Sequence, residues 1–119
     1  MNNKPILCVD FDGVIHSYTS DWAGPTVIKD SPVSGAIEWL ERVSEAFDVH
    51  IYSSRSKIPK AIDAMATWLY SNGLKTHVNF PVFKPSAFLT IDDRCIRFDG
   101  NFDQLPTDYL LSFKPWNKR

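Results

Sequence analysis

Two pairs of acids stand directly behind apolar runs: Asp10 and Asp12 behind Ile6-Leu7-Cys8-Val9, and Asp92 and Asp93 behind Phe88-Leu89-Thr90-Ile91. A hydroxyl, Ser53, closes a third run, Val49-His50-Ile51-Tyr52, and an ammonium, Lys84, precedes the second acidic pair. Carboxylates gathered on one rim raise each other's pKa unless a cation sits between them. Hard oxygen ligands of this kind suit Mg2+, which takes a few carboxylates and keeps several waters. With a hydroxyl and an ammonium beside it, such a site neutralises the equatorial oxygens of a phosphoryl group in transfer. A carboxylate next to the metal is then placed to act as a covalent nucleophile.

Positioning these groups falls to strands that alternate with helices. Pro5-Ile6-Leu7-Cys8-Val9 is a short apolar run with β-branched content, as in a strand buried on both faces of a parallel sheet. Residues 17–31 carry Ser, Gly, Pro and Asp among aromatics without a helical period, which predicts an irregular or hairpin excursion. Beyond it Val33, Ala36, Ile37, Leu40, Val43 and Phe47 form a stripe at helical spacing, with Ser31 as cap and Pro32 in the first turn. Residues 48–52 read as a second strand. Ile62, Met65, Trp68 and Leu69 mark a second helix, stopped by Asn72-Gly73. His77-Val78-Asn79-Phe80 is a weaker third strand, Ala87-Phe88-Leu89-Thr90-Ile91 a clear fourth, and Cys95-Ile96-Arg97-Phe98 a short fifth. Such alternation predicts an α/β three-layer sandwich, with a mostly parallel, Rossmann-like sheet and helices on both faces. Ligands bind such sheets outside the carboxyl ends of the strands, where Asp10, Asp12, Ser53, Asp92 and Asp93 all fall.

The chain has 119 residues, with 13 Lys+Arg against 14 Asp+Glu and a net charge of −1. At this length one small domain over residues 1–119 is expected. The 44% hydrophobic and 23% charged content excludes a disordered chain. A near-neutral balance removes the broad basic field of nonspecific nucleic-acid binders and leaves room only for a local phosphate site. No apolar run approaches the roughly 20 residues that span a bilayer, and the stretch behind Met1-Asn2-Asn3-Lys4-Pro5 is too short for a signal peptide. A cytoplasmic location without membrane contact is expected. Cys8 and Cys95 lie in apolar runs without a C-x-x-C partner, which predicts buried free thiols.

Taken in order, these elements resemble the haloacid dehalogenase (HAD) superfamily of phosphohydrolases. Its first motif, an apolar strand ending Asp-x-Asp-Gly-x, stands here as Leu7-Cys8-Val9-Asp10-Phe11-Asp12-Gly13-Val14. The second, a Ser or Thr closing the second strand, looks like Ser53, with Ser54 behind it as an alternative. The third, a Lys ahead of the acidic strand, matches Lys84; the fourth matches Phe88-Leu89-Thr90-Ile91-Asp92-Asp93. The resemblance runs over residues 6–93.

That resemblance implies a HAD-like fold and a phosphatase that hydrolyses phosphate monoesters with Mg2+. Asp10 would attack phosphorus to form an aspartyl-phosphate, and Asp12 would protonate the leaving oxygen and then activate water. Mg2+ would be bound by the Asp10 carboxylate, the Asp12 backbone carbonyl and Asp92, with Asp93 behind them or acting through water. Ser53 would hydrogen-bond a phosphoryl oxygen, Lys84 would hold the nucleophile and phosphoryl charge together, and Gly13 would let the chain turn beside the metal. An acid at the position of Asp12 favours phosphate ester hydrolysis over dehalogenation. The chain has no room for the folded cap of many relatives, so the site is expected to be open. Residues 13–29 would shield it, with Tyr18 and Trp22 covering the substrate, a small phosphate ester or a phosphorylated macromolecule.

Other residues carry two readings. Arg55 either reaches the substrate from the mouth of the site or pairs with a carboxylate; Arg94 is expected to be structural. His16, His50 and His77 lack a metal-ligand spacing, and His16 alone lies close to the first motif. Trp39, Leu40 and Val43, like Met65, Trp68 and Leu69, are core stripes, and Trp116 is expected to pin the basic tail to the body. Two other functional classes compete. A phosphoacceptor receiver domain shares the architecture but needs an Asp after a middle strand, where this chain has Ser53 and Asn79-Phe80-Pro81. A noncatalytic binding or regulatory module would suit the small size, but the acids intact at every motif count against simple decay.

Overall fold

The computed structural model describes residues 3–118. Met1, Asn2 and Arg119 lie outside the described residues, and with them the outer ends of the leading stretch and of the basic tail. The element order is β1 (Ile6–Val9), α1 (Ala36–Val43), β2 (Asp48–Ile51), α2 (Pro59–Ser71), β3 (Leu89–Ile91) and α3 (Thr107–Leu111), with short 3-10 turns at Phe102–Gln104 and Trp116–Lys118. The strands form a three-stranded parallel sheet in the order β2-β1-β3. This is a small α/β fold.

β1 is central, and Leu7, Cys8 and Val9 are all buried, which explains its unbroken apolar run. Around it Phe11, Ile15, Leu40, Val49, Ile51, Met65, Leu69 and Val78 close one core. Burying each large apolar side chain contributes roughly 1.5–3 kcal/mol. Helix α2 starts on Pro59, whose missing N–H costs nothing in the first turn, and ends before Gly73 at φ 101°. Its inward stripe is Ala61, Met65 and Leu69.

Several expectations are corrected. Helix α1 is capped by Gly35 at φ 83°, not by Ser31. Pro32 is held instead in a bridge with His16, where the Val33 N–H donates to the Ile15 carbonyl (2.7 Å) and the Ser17 N–H to the Ser31 carbonyl (3.0 Å). These bonds close the base of the excursion and delay the helix. Residues 77–80 give only one parallel bridge, Asn79 to His50, because Pro81 has no N–H to continue a ladder. Residues 95–98 join no strand among the described residues, and Cys95 is exposed, so only Cys8 is the buried thiol expected.

Between residues 98 and 111 the chain lies outside the core: Phe98, Phe102, Tyr109, Leu110 and Leu111 are exposed. The radius of gyration, 15.3 Å, exceeds the roughly 13–14 Å of a compact domain of this length. No described helix is long and apolar enough to cross a membrane.

Candidate functional site

Pairing register brings the acids together. Val9 lies opposite Ile51 in β2 and Ile91 in β3. The last rungs of the two ladders run from the Asp10 N–H to the Ile91 carbonyl (2.9 Å) and from the Tyr52 N–H to the Val9 carbonyl (3.1 Å). All three strands therefore end at one level, and Asp10, Ser53 and Asp92 emerge beside one another at their carboxyl ends.

Asp10, Asp92 and Asp93 present carboxylate oxygens that all lie within 4.8 Å of one another. Burial, followed by a hydrogen bond with Asp93 and the charge of Asp92, pushes the Asp10 carboxyl up to about 8. One oxygen of Asp93 is buried without a hydrogen-bond partner among the described residues. A protonated or orphaned carboxylate in such a cluster is what a bound cation would relieve. Asp92 is exposed and accepts the Arg94 N–H at 2.8 Å. The oxygen-only donor set fits a hard divalent ion such as Mg2+.

Gly13 sits below this cluster at φ 84°, and a Cβ there would overlap the Asp93 carboxylate. Only glycine allows both the left-handed turn and that approach.

Asp12 is in a different state from Asp10. Its carboxylate receives the Arg55 guanidinium on both oxygens (Nε to Oδ2 2.8 Å, Nη2 to Oδ1 3.0 Å) and the His16 ring through Nδ1 at 2.8 Å. Burial opposes its ionisation, but the hydrogen bonds of His16 and Arg55 and the guanidinium charge outweigh burial and hold it below the usual carboxylate range. His16 Nε2 accepts the Asp30 N–H (3.1 Å), so its proton resides on Nδ1 and faces Asp12. The ring packs against Phe11, Tyr18 and Trp68.

Arg55 is 1% exposed and lies behind the cleft rather than at its mouth. Its Nη1 donates to the carbonyls of Gly24, Pro25 and Val27 (3.1, 2.8 and 3.1 Å). Of the two readings open to it, the structure shows the carboxylate pairing. This arginine ties the excursion to the site.

Ser53 is buried, and its Oγ accepts the Arg55 N–H at 3.0 Å, which leaves its own O–H to donate elsewhere. Ser54 is exposed beside it. The turn closes with the Ser53 N–H on Ser56 Oγ (2.9 Å), well before α2, so neither serine caps that helix.

A cleft of about 310 Å3 collects Asp10, Asp12, Asp92, Asp93, Ser53 and Ser54 with Tyr18 and Trp22. Tyr18 holds a positive φ of 54°, uncommon for a residue with a side chain. Lys84 is exposed and lines a smaller adjoining cavity of about 150 Å3 that shares Asp10, Ser53, Ser54 and Asp92. The cleft also takes in Arg94, Asn117 and Lys118, which carry no periodic or motif signal in the sequence. Arg94 thus lines the cleft despite its structural expectation, and Trp116 does tie the tail down, through Gly13. No family model, curated protein or solved structure matches this chain.

Proposed function

We propose that this chain is a Mg2+-dependent phosphatase that hydrolyses a phosphate monoester through an aspartyl-phosphate, on a capless, HAD-like, three-layer α/β fold. The meeting of Asp10, Asp92 and Asp93, with one Asp93 oxygen buried and unpartnered among the described residues, is the observation that carries this reading. The layering rests on topology: β1 to β2 and β2 to β3 cross the sheet in opposite directions, so right-handed crossovers put α1 and α2 on opposite faces. A cytoplasmic location suits the free, exposed thiol of Cys95, which a reducing compartment keeps reduced.

In this reading the carboxylates of Asp10 and Asp92, Asp93 beside them and the backbone carbonyl of Asp12 hold Mg2+, which supplies charge neutralisation to the phosphoryl oxygens. The ionised Asp10 attacks phosphorus: a carboxylate oxygen–phosphorus bond forms as the ester oxygen–phosphorus bond breaks, and, because Arg55 and His16 keep Asp12 ionised, the leaving oxygen takes its proton from solvent water. Water then attacks the phosphoryl group, releasing phosphate and restoring Asp10. Arg55 and His16 hold Asp12 in the form that accepts the proton of that water. Ser53 donates its hydroxyl to a phosphoryl oxygen, and Lys84 offsets negative charge from the adjoining cavity.

The test is phosphate release from p-nitrophenyl phosphate with Mg2+, by the intact chain and by Asp10→Asn. Turnover that stops in the variant and with excess chelator is expected; turnover that persists in the variant removes the covalent route.

A further inference from the structure

The chain returns to the site about a hundred residues after it first formed it. The Trp116 indole N–H donates to the Gly13 carbonyl at 2.6 Å, and the Asn117 amide donates to the Ser17 carbonyl at 3.2 Å. Both acceptors belong to the turn and excursion that follow Asp12, so the 3-10 turn at Trp116–Lys118 is seated on the edge of the cleft. There Asn117 and Lys118 join Arg94 in the lining.

Of the charged groups in the cleft, Asp10, Asp12 and Asp93 are part-buried, whereas Asp92, which meets Asp10 and Asp93 at the candidate cation site, and Arg94 and Lys118 are exposed. Among the described residues neither of these cations has an ion-pair partner. A divalent ion among the acids and one phosphoryl group would satisfy the inner part of the cleft and leave the two outer cations for another anion. Beside them stands an aromatic surface. The Arg55 guanidinium lies 4.6 Å from the Trp22 ring centre, yet Trp22 stays 51% exposed. A ring held on one side and open on another is a platform for a flat group.

We propose that Arg94 and Lys118, the latter seated by the Trp116–Gly13 hydrogen bond, form a second anion subsite that selects nucleosides carrying a further phosphate besides the one removed. The inference rests on the phosphatase reading for the identity of the first phosphate, while the subsite stands on its own residues. In place of a cap domain, the segment around Trp116 supplies the outer wall of the site.

Michaelis constants for adenosine 3′,5′-bisphosphate and adenosine 5′-monophosphate, measured with Mg2+ on the intact chain, test this. A preference for the bisphosphate of about tenfold is expected, in line with a charge-assisted contact. In Lys118→Gln and in Arg94→Gln that preference should shrink to within about twofold, because one rim-exposed charge then remains. Trp116→Phe, which keeps the ring and removes the N–H to Gly13, should reduce it in the same direction. Equal constants for the two nucleotides in the intact chain, or an equal rise for both in Lys118→Gln, would overturn the subsite. If neither nucleotide is hydrolysed, the p-nitrophenyl phosphate assay by itself decides the phosphatase reading. Calorimetric binding of the same two nucleotides then decides the subsite: a preference dependent on Lys118 supports it, and equal binding refutes it.

Discussion

Arg55 and Asp12, 43 positions apart, meet in a two-pronged ion pair behind the cleft, with N–O distances of 2.8 and 3.0 Å. The remaining guanidinium nitrogen holds three carbonyls of the excursion. One buried arginine thereby sets both the charge state of the second acid and the path of the chain that carries Trp22. Asp10, two residues earlier, has no such partner and faces other carboxylates instead.

Removing Arg55 should destabilise the fold strongly. Deleting one partner of a buried ion pair costs about 3–5 kcal/mol, and Arg55→Ala also frees three carbonyls. Arg55→Lys keeps the charge without the fork and should lie between. Urea unfolding measures this; a loss under about 1 kcal/mol in Arg55→Ala, the level of an exposed pair, would contradict the role assigned to it.

The metal-free protein should lose stability as pH rises toward 8. Asp10 in the folded chain holds its proton up to about 8, against an ordinary value of 3.8. Between those values the folded chain binds more protons than the unfolded one, so stability is greatest at the acid end of that window and falls through it. Melting temperatures from pH 5 to 8 in chelator should therefore decline, and Asp10→Asn should flatten the decline. A rising profile in the intact chain would contradict the buried, crowded carboxyl.

Mg2+ should reverse part of that loss. A ligand that binds only the folded state stabilises it by about 2.7 kcal/mol at about 100 times its dissociation constant. Thermal shift with and without Mg2+ should show a rise in the intact chain that is largely absent in Asp92→Asn. Equal shifts in both proteins would show that the acidic cluster is not the binding site.

Gly13→Ala should damage both fold and site. The left-handed conformation alone costs a residue with a side chain about 1–2 kcal/mol, and the added Cβ meets the Asp93 carboxylate. Displacing a group beside the metal ligands typically lowers metal affinity by about tenfold or more. Chemical unfolding and Mg2+ titration by calorimetry read the two effects; unaltered Mg2+ affinity would separate Asp93 from the cation.

The central strand and the second helix were legible because local pattern and tertiary role agree. An apolar run such as Leu7-Cys8-Val9 has few other places to go than the middle of a sheet, and Met65 and Leu69 repeat at the helical period. The edges were less legible. Residues 77–80 and 95–98 have strand-like composition, but a strand also needs a partner with free N–H and C=O groups, and composition does not supply one. The start of α1 moved for a similar reason: Pro32 is claimed by a bridge to His16 across the excursion, so Gly35 opens the helix.

Sequence alone determined that acids and a hydroxyl follow apolar strands, and parallel pairing in register then obliges Asp10, Ser53 and Asp92 to share an edge. Only tertiary structure decided which carboxylates stay open to a cation and which is occupied by a guanidinium. It also decided that Lys118 returns to the cleft. Strand register is a local, periodic property of the backbone, whereas the meetings of Asp12 with Arg55 and of Gly13 with Trp116 depend on the path of irregular chain. That path follows whichever buried donors and acceptors find partners, over separations at which no repeat in the sequence survives.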